Sequence, residues 1–226
     1  MEYSQLKLSS DRKVIGKGGY PQCKGSPLSL GLTLKWFDQP NSMTNLTNEE
    51  FPSFLPNLIF ELEDKAFLTD AISPSNLSAK GFLISSKLKS IIETHNLMEH
   101  KFFKARVIFK EENYDYFWLH FKDNKDKYLN AIDYKNSQFY VANLAFMHVR
   151  DIDLSCYEDY KQKRLSLTMK YIHGAKISLD ETLINENLDL FYLPDVSRGY
   201  FLSKNLYDEF KKNDITGFDI KEQEII

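Results

Sequence analysis

The chain has 226 residues, a formal net charge of −3 and 42% hydrophobic residues, which suits a folded protein with a buried core and argues against disorder. A net charge so close to zero disfavours a nucleic-acid partner, and no apolar run reaches the length of a bilayer span. Aromatic residues make up 14% of the chain, which favours strands and suits a protein that binds through its surface. We expect neither nucleic acid nor membrane as a partner.

The two cysteines indicate a reducing compartment. Cys23 and Cys156 lie far apart and show no zinc-like spacing, so two free thiols are favoured over a disulfide, although pairing stays open. The N-terminal residues lack the basic start and apolar run of a secretory signal. We therefore expect a bacterial cytoplasmic protein.

Residues 1–57 contain most of the glycines and prolines and few periodic apolar positions. This composition predicts an irregular N-terminal lobe, with a short strand at 30–37, packed against a main domain of residues 58–226.

The main domain begins with a strand at 58–62 and a β-hairpin formed by 101–109 and 114–121. The second hairpin strand is bulky on both faces, which predicts a central position in a sheet. Three acidic residues crown the turn around 111–113, namely Glu111, Glu112 and Asp115. They fit either a solvated turn or a contact patch for a basic partner.

The remaining chain alternates between extended and helical patterns. Strand candidates outnumber helices, which predicts an α+β fold with mainly antiparallel strands. Segment 151–163 suits a loop or short helix, and 204–213 suits a helix. The strand candidates cover 128–133, 138–149, 165–179, 189–193, 200–202 and 217–220.

Two stretches share one pattern. Gly81-Phe-Leu-Ile-Ser85-Ser-Lys-Leu88 and Gly199-Tyr-Phe-Leu-Ser203-Lys-Asn-Leu206 both read glycine, aromatic, two apolar residues, serine, two further residues, leucine. Each predicts a short strand that ends at a serine capping an amphipathic helix, followed by a second strand. The chain therefore contains two strand–helix–strand units.

Candidate catalytic groups are scattered. Cys156 with His148 or His173 permits a nucleophile pair assembled from distant residues, and Asp151 and Asp153 permit acid–base chemistry. No local motif supports either arrangement, and no metal or cofactor pattern is present. A small cytoplasmic hydrolase remains an alternative.

Several short sequence motifs, in their order and spacing along the chain, resemble those of a family of immunity proteins from bacterial polymorphic toxin systems. The resemblance covers residues 58–220. The positions that carry it are Thr69, Asp70, Gly81, Ser85, Leu88, Asp133, Ser137, Ser203, Thr216 and Gly217.

The resemblance implies a protein that binds a cognate toxin domain, blocks its active site or substrate path, and has no catalytic residues and no cofactor. We expect the family positions to hold the scaffold and the partner contacts to lie on variable surface loops. A general protein-interaction module without a toxin partner is a further alternative. Oligomeric state is open.

Overall fold

The structure, a computed structural model, describes residues 3–25, 39–75, 77, 79–197 and 199–222. The predicted strand at 30–37 lies outside them. Within these ranges the fold is α+β, as predicted, with one 3₁₀ turn at Met43–Asn45. The strands are β1 (Tyr3–Leu8), β2 (Ile59–Glu61), β3 (Ala71–Ile72), β4 (Gly81–Ser85), β5 (His100–Phe109), β6 (Glu112–Phe121), β7 (Gln138–Asn143), β8 (His148–Ile152), β9 (Lys170–Lys176), β10 (Leu190–Phe191), β11 (Tyr200–Ser203) and β12 (Phe218–Glu222). The helices are α1 (Arg12–Ile15), α2 (Ser86–Ile92), α3 (Lys125–Asn130), α4 (Tyr157–Ser166), α5 (Glu181–Asn185) and α6 (Lys204–Lys212).

The described strands form three sheets. Their orders are β10-β11-β1-β12, β2-β5-β6-β4-β3 and β8-β7-β9. The first strand of each predicted unit, β4 or β11, pairs antiparallel with the strand that precedes it, β3 or β10. Strand β2 instead runs parallel to β5. The prediction of mainly antiparallel strands is confirmed.

The chain divides into two compact units. Unit 1 comprises Met1–Leu6, Asn124–Asp208 and Ile220–Ile226, and unit 2 comprises Lys7–Asp123 and Glu209–Asp219. The core of unit 2 joins Cys23, Met43 and Leu46 to residues of β2, β5 and β6. Residues from both sides of position 57 therefore share one core, and the predicted domain boundary there stays a prediction.

Strand β6 lies at the centre of its sheet, between β5 and β4. Trp118 on one face and Leu119 on the other are both buried, as the bulky pattern predicts. The hairpin turn consists of Lys110 and Glu111, which both have positive φ angles of 51° and 69°. The turn therefore has two residues where the predicted strands leave four, and Glu112 belongs to β6.

Both repeated units form as predicted. The backbone N–H of Leu88 donates to the Ser85 hydroxyl at 3.1 Å, and that of Leu206 donates to the Ser203 hydroxyl at 3.2 Å. Each serine thus satisfies a helix N–H that would otherwise have no partner.

The strand predicted at 128–133 is wrong, because residues 128–130 form the second half of α3. The Asn124 side chain accepts from the N–H of Lys127 at 3.1 Å and caps the helix, which buries Tyr128 and Leu129. A short contiguous apolar run suits a strand or a buried helix equally well. The predicted strand at 138–149 is in fact the hairpin of β7 and β8.

Candidate interaction surface

Asp70 ties together three segments that carry the family resemblance. Its carboxylate accepts hydrogen bonds from the Ser85 hydroxyl at 2.8 Å and from both the backbone N–H and the hydroxyl of Thr216 at 3.0 Å. Its backbone N–H donates to the Thr216 hydroxyl at 3.1 Å. These bonds join Asp70, Ser85 and Thr216 within unit 2, and the structural role predicted for them stays a prediction.

Thr69 and Gly217, which adjoin Asp70 and Thr216 in sequence, also have contacts within the same region. The Thr69 hydroxyl donates to the carbonyl of Ala71 at 2.7 Å, and the Thr69 carbonyl accepts from the Tyr116 hydroxyl at 2.7 Å. Gly217 has a φ of +95°, and a Cβ there would lie 2.0 Å from the Ala71 carbonyl oxygen. The Thr216-Gly217 turn therefore needs glycine for close approach to β3.

In the second strand–helix–strand repeat, Asp189 makes the contacts that Asp70 makes in the first repeat. Its carboxylate accepts from the Ser203 hydroxyl at 2.5 Å, and its carbonyl accepts from the Ser203 N–H at 2.9 Å. In the first strand–helix–strand repeat, the Asp70 carbonyl accepts from the Ser85 N–H at 2.8 Å. Sequence reasoning did not single out Asp189 for this role. The available signal was an aspartate followed by two apolar residues, upstream of each capping serine.

Asp133 and Ser137 form a third structural element, in unit 1. The Asp133 carboxylate accepts from the Asn136 side-chain amide at 2.6 Å, and this bond lowers the pKa of Asp133 below its ordinary value. The Ser137 hydroxyl donates to the Asp133 carbonyl at 2.7 Å and accepts from the Ser178 N–H at 2.9 Å. The motif is a turn fastened to the chain around Ser178.

The three acids at the β5–β6 hairpin are exposed but do not converge on one face. Glu111 is in the turn, while Glu112 and Asp115 alternate to opposite faces of β6. The Glu112 carboxylate accepts from the Tyr114 hydroxyl at 2.6 Å, and this bond raises the pKa of Tyr114.

The predicted catalytic candidates lie in one region of unit 1 but make separate contacts. His148 bonds through Nε2 to the Asp151 carboxylate at 2.8 Å. Cys156 is exposed, and hydrogen bonds from the Asp159 backbone N–H and then the Ser155 hydroxyl lower the pKa of its thiol. In the described part of the chain, no hydrogen bond joins Cys156 to either histidine.

Asp153 contacts Lys163 through its carbonyl oxygen, which accepts from the ammonium at 2.7 Å. The two acids of the Asp-Ile-Asp segment thus have different partners. Among the described residues, no group of three or more His, Cys, Asp or Glu side chains is placed to hold a metal ion.

One face of the three-stranded sheet is rich in aromatic rings, which are exposed or half-buried apart from that of His173, which is 5% exposed. Tyr140 on β7 pairs with His173 on β9 and with Asp151 on β8, so these side chains share this face. The Tyr140 ring centroid lies 5.2 Å from that of His148 and 5.8 Å from that of His173. We call the rings of Tyr140, Phe146, His148, Tyr171 and His173 the aromatic face.

The opposite face of this sheet is buried. Val141 and Ile172 pair across β7 and β9 and are inaccessible to solvent, and Phe139 stacks on Tyr134 at 5.5 Å. The sheet is therefore covered on this side, whereas on the other side four of the five rings of the aromatic face remain exposed or half-buried.

Exposed apolar side chains concentrate in the part of the sequence that contains the aromatic face. Six of the ten exposed large hydrophobic residues in the described part of the chain fall within positions 144–169. Contiguous exposed apolar surface marks interaction sites on soluble proteins. The six are Leu144, Phe146, Met147, Val149, Leu165 and Met169.

Two of these residues have a backbone conformation that bulky side chains rarely adopt. Phe146 has a φ of 60° and is 44% exposed, and Met169 has a φ of 53° and is 70% exposed. The other five non-glycine residues with positive φ in the described chain are polar. A left-handed conformation costs about 1–2 kcal/mol for a residue with a Cβ, and neither side chain recovers this cost through deep burial.

A cavity lies beside β8. It has a volume of about 300 Å³ and is lined by β8, the residue after it and the end of α4, namely Arg150, Asp151, Ile152, Asp153, Lys163, Ser166 and Leu167. Lys163 is held by the Asp159 carboxylate at 2.9 Å and by the Asp153 carbonyl.

These features define an α+β protein with a concentrated aromatic and apolar surface. No helix within the described residues combines the length and apolar composition that crossing a membrane requires. A family model described as "Immunity protein family (Imm11)" matches residues 22–224. The chain belongs to this immunity-protein family, which confirms the resemblance. No curated protein matches the sequence.

Proposed function

We propose that this protein binds a cognate bacterial toxin domain and neutralises it by stoichiometric occlusion, in the cytoplasm of the cell that makes it. Membership of the immunity-protein family supports this proposal. The observation that indicates where the toxin binds is the concentration of exposed apolar residues in the part of the sequence that contains the aromatic face. The two free thiols suit a reducing compartment.

The composition of this surface fits a binding interface. Stable interfaces bury about 800 Å² on each partner, and they are enriched in Tyr, Phe, Met and Arg relative to other surface. Phe146 and Met169 supply such side chains from strained backbone positions. Strain of this kind clusters at binding sites, where the side chain has a use outside the fold.

The acidic tip of the β5–β6 hairpin is a second candidate contact. Glu111, Glu112 and Asp115 are exposed and would face a basic region of the toxin. Because they lie on different faces of the hairpin, we propose that at most part of this set contacts one partner.

The test uses the toxin domain encoded beside this gene. Co-expression should restore growth of cells that the toxin domain alone kills, and calorimetry on the purified pair should give one-to-one binding. A pair that does not form a complex would refute direct binding. A partner without toxicity would instead indicate a general interaction module.

Phe146→Asn locates the surface. Asparagine tolerates positive φ, which offsets the loss of the Phe146 ring's stacking on Tyr171 at 5.7 Å, so the fold should keep about its original stability. Loss of an aromatic anchor should weaken toxin binding by about 30-fold or more. Phe67→Asn is the matched control, because Phe67 is also exposed but lies in unit 2. Equal binding by both variants would place the interface elsewhere.

A further inference from the structure

Strand β8 is an edge strand with an open side. It lies at the end of its sheet and pairs with β7 alone. Four of its five residues are exposed and the fifth is half-buried. Among the described residues, no backbone hydrogen bond reaches β8 from outside this sheet, apart from turn bonds before it. An open edge of this kind is a template for another strand.

The other edge of the same sheet is already engaged. Gly174 in β9 donates its backbone N–H to the carbonyl of Val196 at 3.0 Å. Within the described part of this sheet, β8 is therefore the edge that combines an open side with the exposed apolar residues of the β7–β8 hairpin.

The two faces beside β8 offer different chemistry. His148 and Asp151 lie on the aromatic face, next to Tyr140. Arg150 pairs with Val141 and so lies on the opposite face, because a register shift between Val141 and Ala142 interrupts the alternation between His148 and Arg150. Arg150 lines the 300 Å³ cavity. An added strand would place alternate side chains over the rings and into the cavity.

The cavity favours an acidic side chain. Arg150 forms no ion pair or hydrogen bond within the described part of the chain, and Lys163 and the Ser166 hydroxyl lie beside it. Of the two acids in the lining, Asp151 bonds to His148 on the other face. Lys163 already has the Asp159 carboxylate as its counter-charge at 2.9 Å, which leaves Arg150 as the lining cation without an ion pair among the described residues. A guanidinium binds a carboxylate through two parallel hydrogen bonds.

We propose that the toxin contributes an extended segment that pairs with β8 as a fourth strand, with a carboxylate side chain in the Arg150 cavity and apolar side chains against the aromatic face. This inference rests on the proposed function and specifies how its interface is built. The exposed charges of β8 alone would also serve to discourage strand pairing. The cavity and the flanking apolar side chains are what favour a partner here.

Hydrogen exchange measured by mass spectrometry on the full chain, alone and with the toxin domain encoded beside the gene, tests this pairing. Backbone amides of residues 148–152 should exchange at least about 10-fold more slowly in the complex, because new bonds cover the open edge.

A charge reversal tests the cavity. Arg150→Glu should weaken binding by about 100-fold, the scale for breaking an interfacial charge pair, and Arg150→Lys by much less. Arg12→Glu is the control, since Arg12 is exposed and lies in unit 2. Circular dichroism checks that each variant is folded.

The outcomes separate the two proposals. If the unmodified pair forms no complex, both proposals fail. If a complex forms while residues 148–152 exchange as in the free chain, or while Arg150→Glu binds like the original, the β8 inference is overturned and toxin binding stands.

Discussion

Removing the Asp70 carboxylate should destabilise unit 2 without touching the proposed interface. In Asp70→Ala the Ser85 hydroxyl and the Thr216 N–H and hydroxyl all lose their acceptor. Asp70 is only 14% exposed, so water replaces these bonds incompletely. Thr216 would then be held to this segment, 146 residues away in sequence, only by the backbone N–H groups of residues 70 and 71.

The expected loss follows from the three bonds. A hydrogen bond to a charged group contributes about 1.5–3 kcal/mol, but two of the donors are hydroxyls that can rotate toward solvent. We therefore expect Asp70→Ala to lower the free energy of unfolding by about 3 kcal/mol. Asp70→Asn keeps an acceptor of the same shape and should cost about 1 kcal/mol.

Urea unfolding followed by circular dichroism measures these changes. Asp64→Ala is the control, because Asp64 is 91% exposed and makes a surface ion pair with Lys24, which contributes less than about 1 kcal/mol. A double-mutant cycle with Thr216→Val should give a coupling of about 1 kcal/mol or more. A coupling near zero, or toxin binding lost in folded Asp70→Asn, would refute a purely structural role.

Three further predictions concern buried and reactive groups. Burial lowers the pKa of His120, whose Nδ1 accepts from the Trp118 indole at 3.2 Å. Below about pH 6.5 the histidine therefore takes up a proton in the unfolded chain and not in the folded chain. The free energy of unfolding should fall as the pH drops from 7.5 to 5.5. Gly81→Ala should destabilise the fold by at least about 2 kcal/mol, because its Cβ would meet a carbonyl oxygen at 2.1 Å. Iodoacetamide should alkylate Cys156 quickly and Cys23 only after unfolding, since burial raises the pKa of the Cys23 thiol.

Each of these three predictions has an outcome that would contradict it. The pH dependence of unfolding should flatten in His120→Gln, and an unchanged slope would remove His120 as its cause. Wild-type stability of Gly81→Ala in urea would mean that β6 moves away at little cost. Equal labelling of both thiols in the native chain, read by mass spectrometry, would contradict the burial of Cys23.

The repeated units were predictable because their interactions are local. A serine cap acts on an N–H three residues away, and helix amphipathicity has a fixed period. Both caps are present in the structure. The α3 segment failed because its short apolar run fits two structures, and the Asn124 cap lies outside that run.

The sequence by itself determined the α+β class, the two capped units, the central place of β6 and the family. Only the tertiary structure brought Asp70 to Thr216, aligned Tyr140 with His148 and His173, and left one edge of β8 open. These relations depend on strand register and on contacts between distant segments, which no local pattern encodes. Since a binding surface is made of such relations, the scaffold was readable from the sequence and the surface was not.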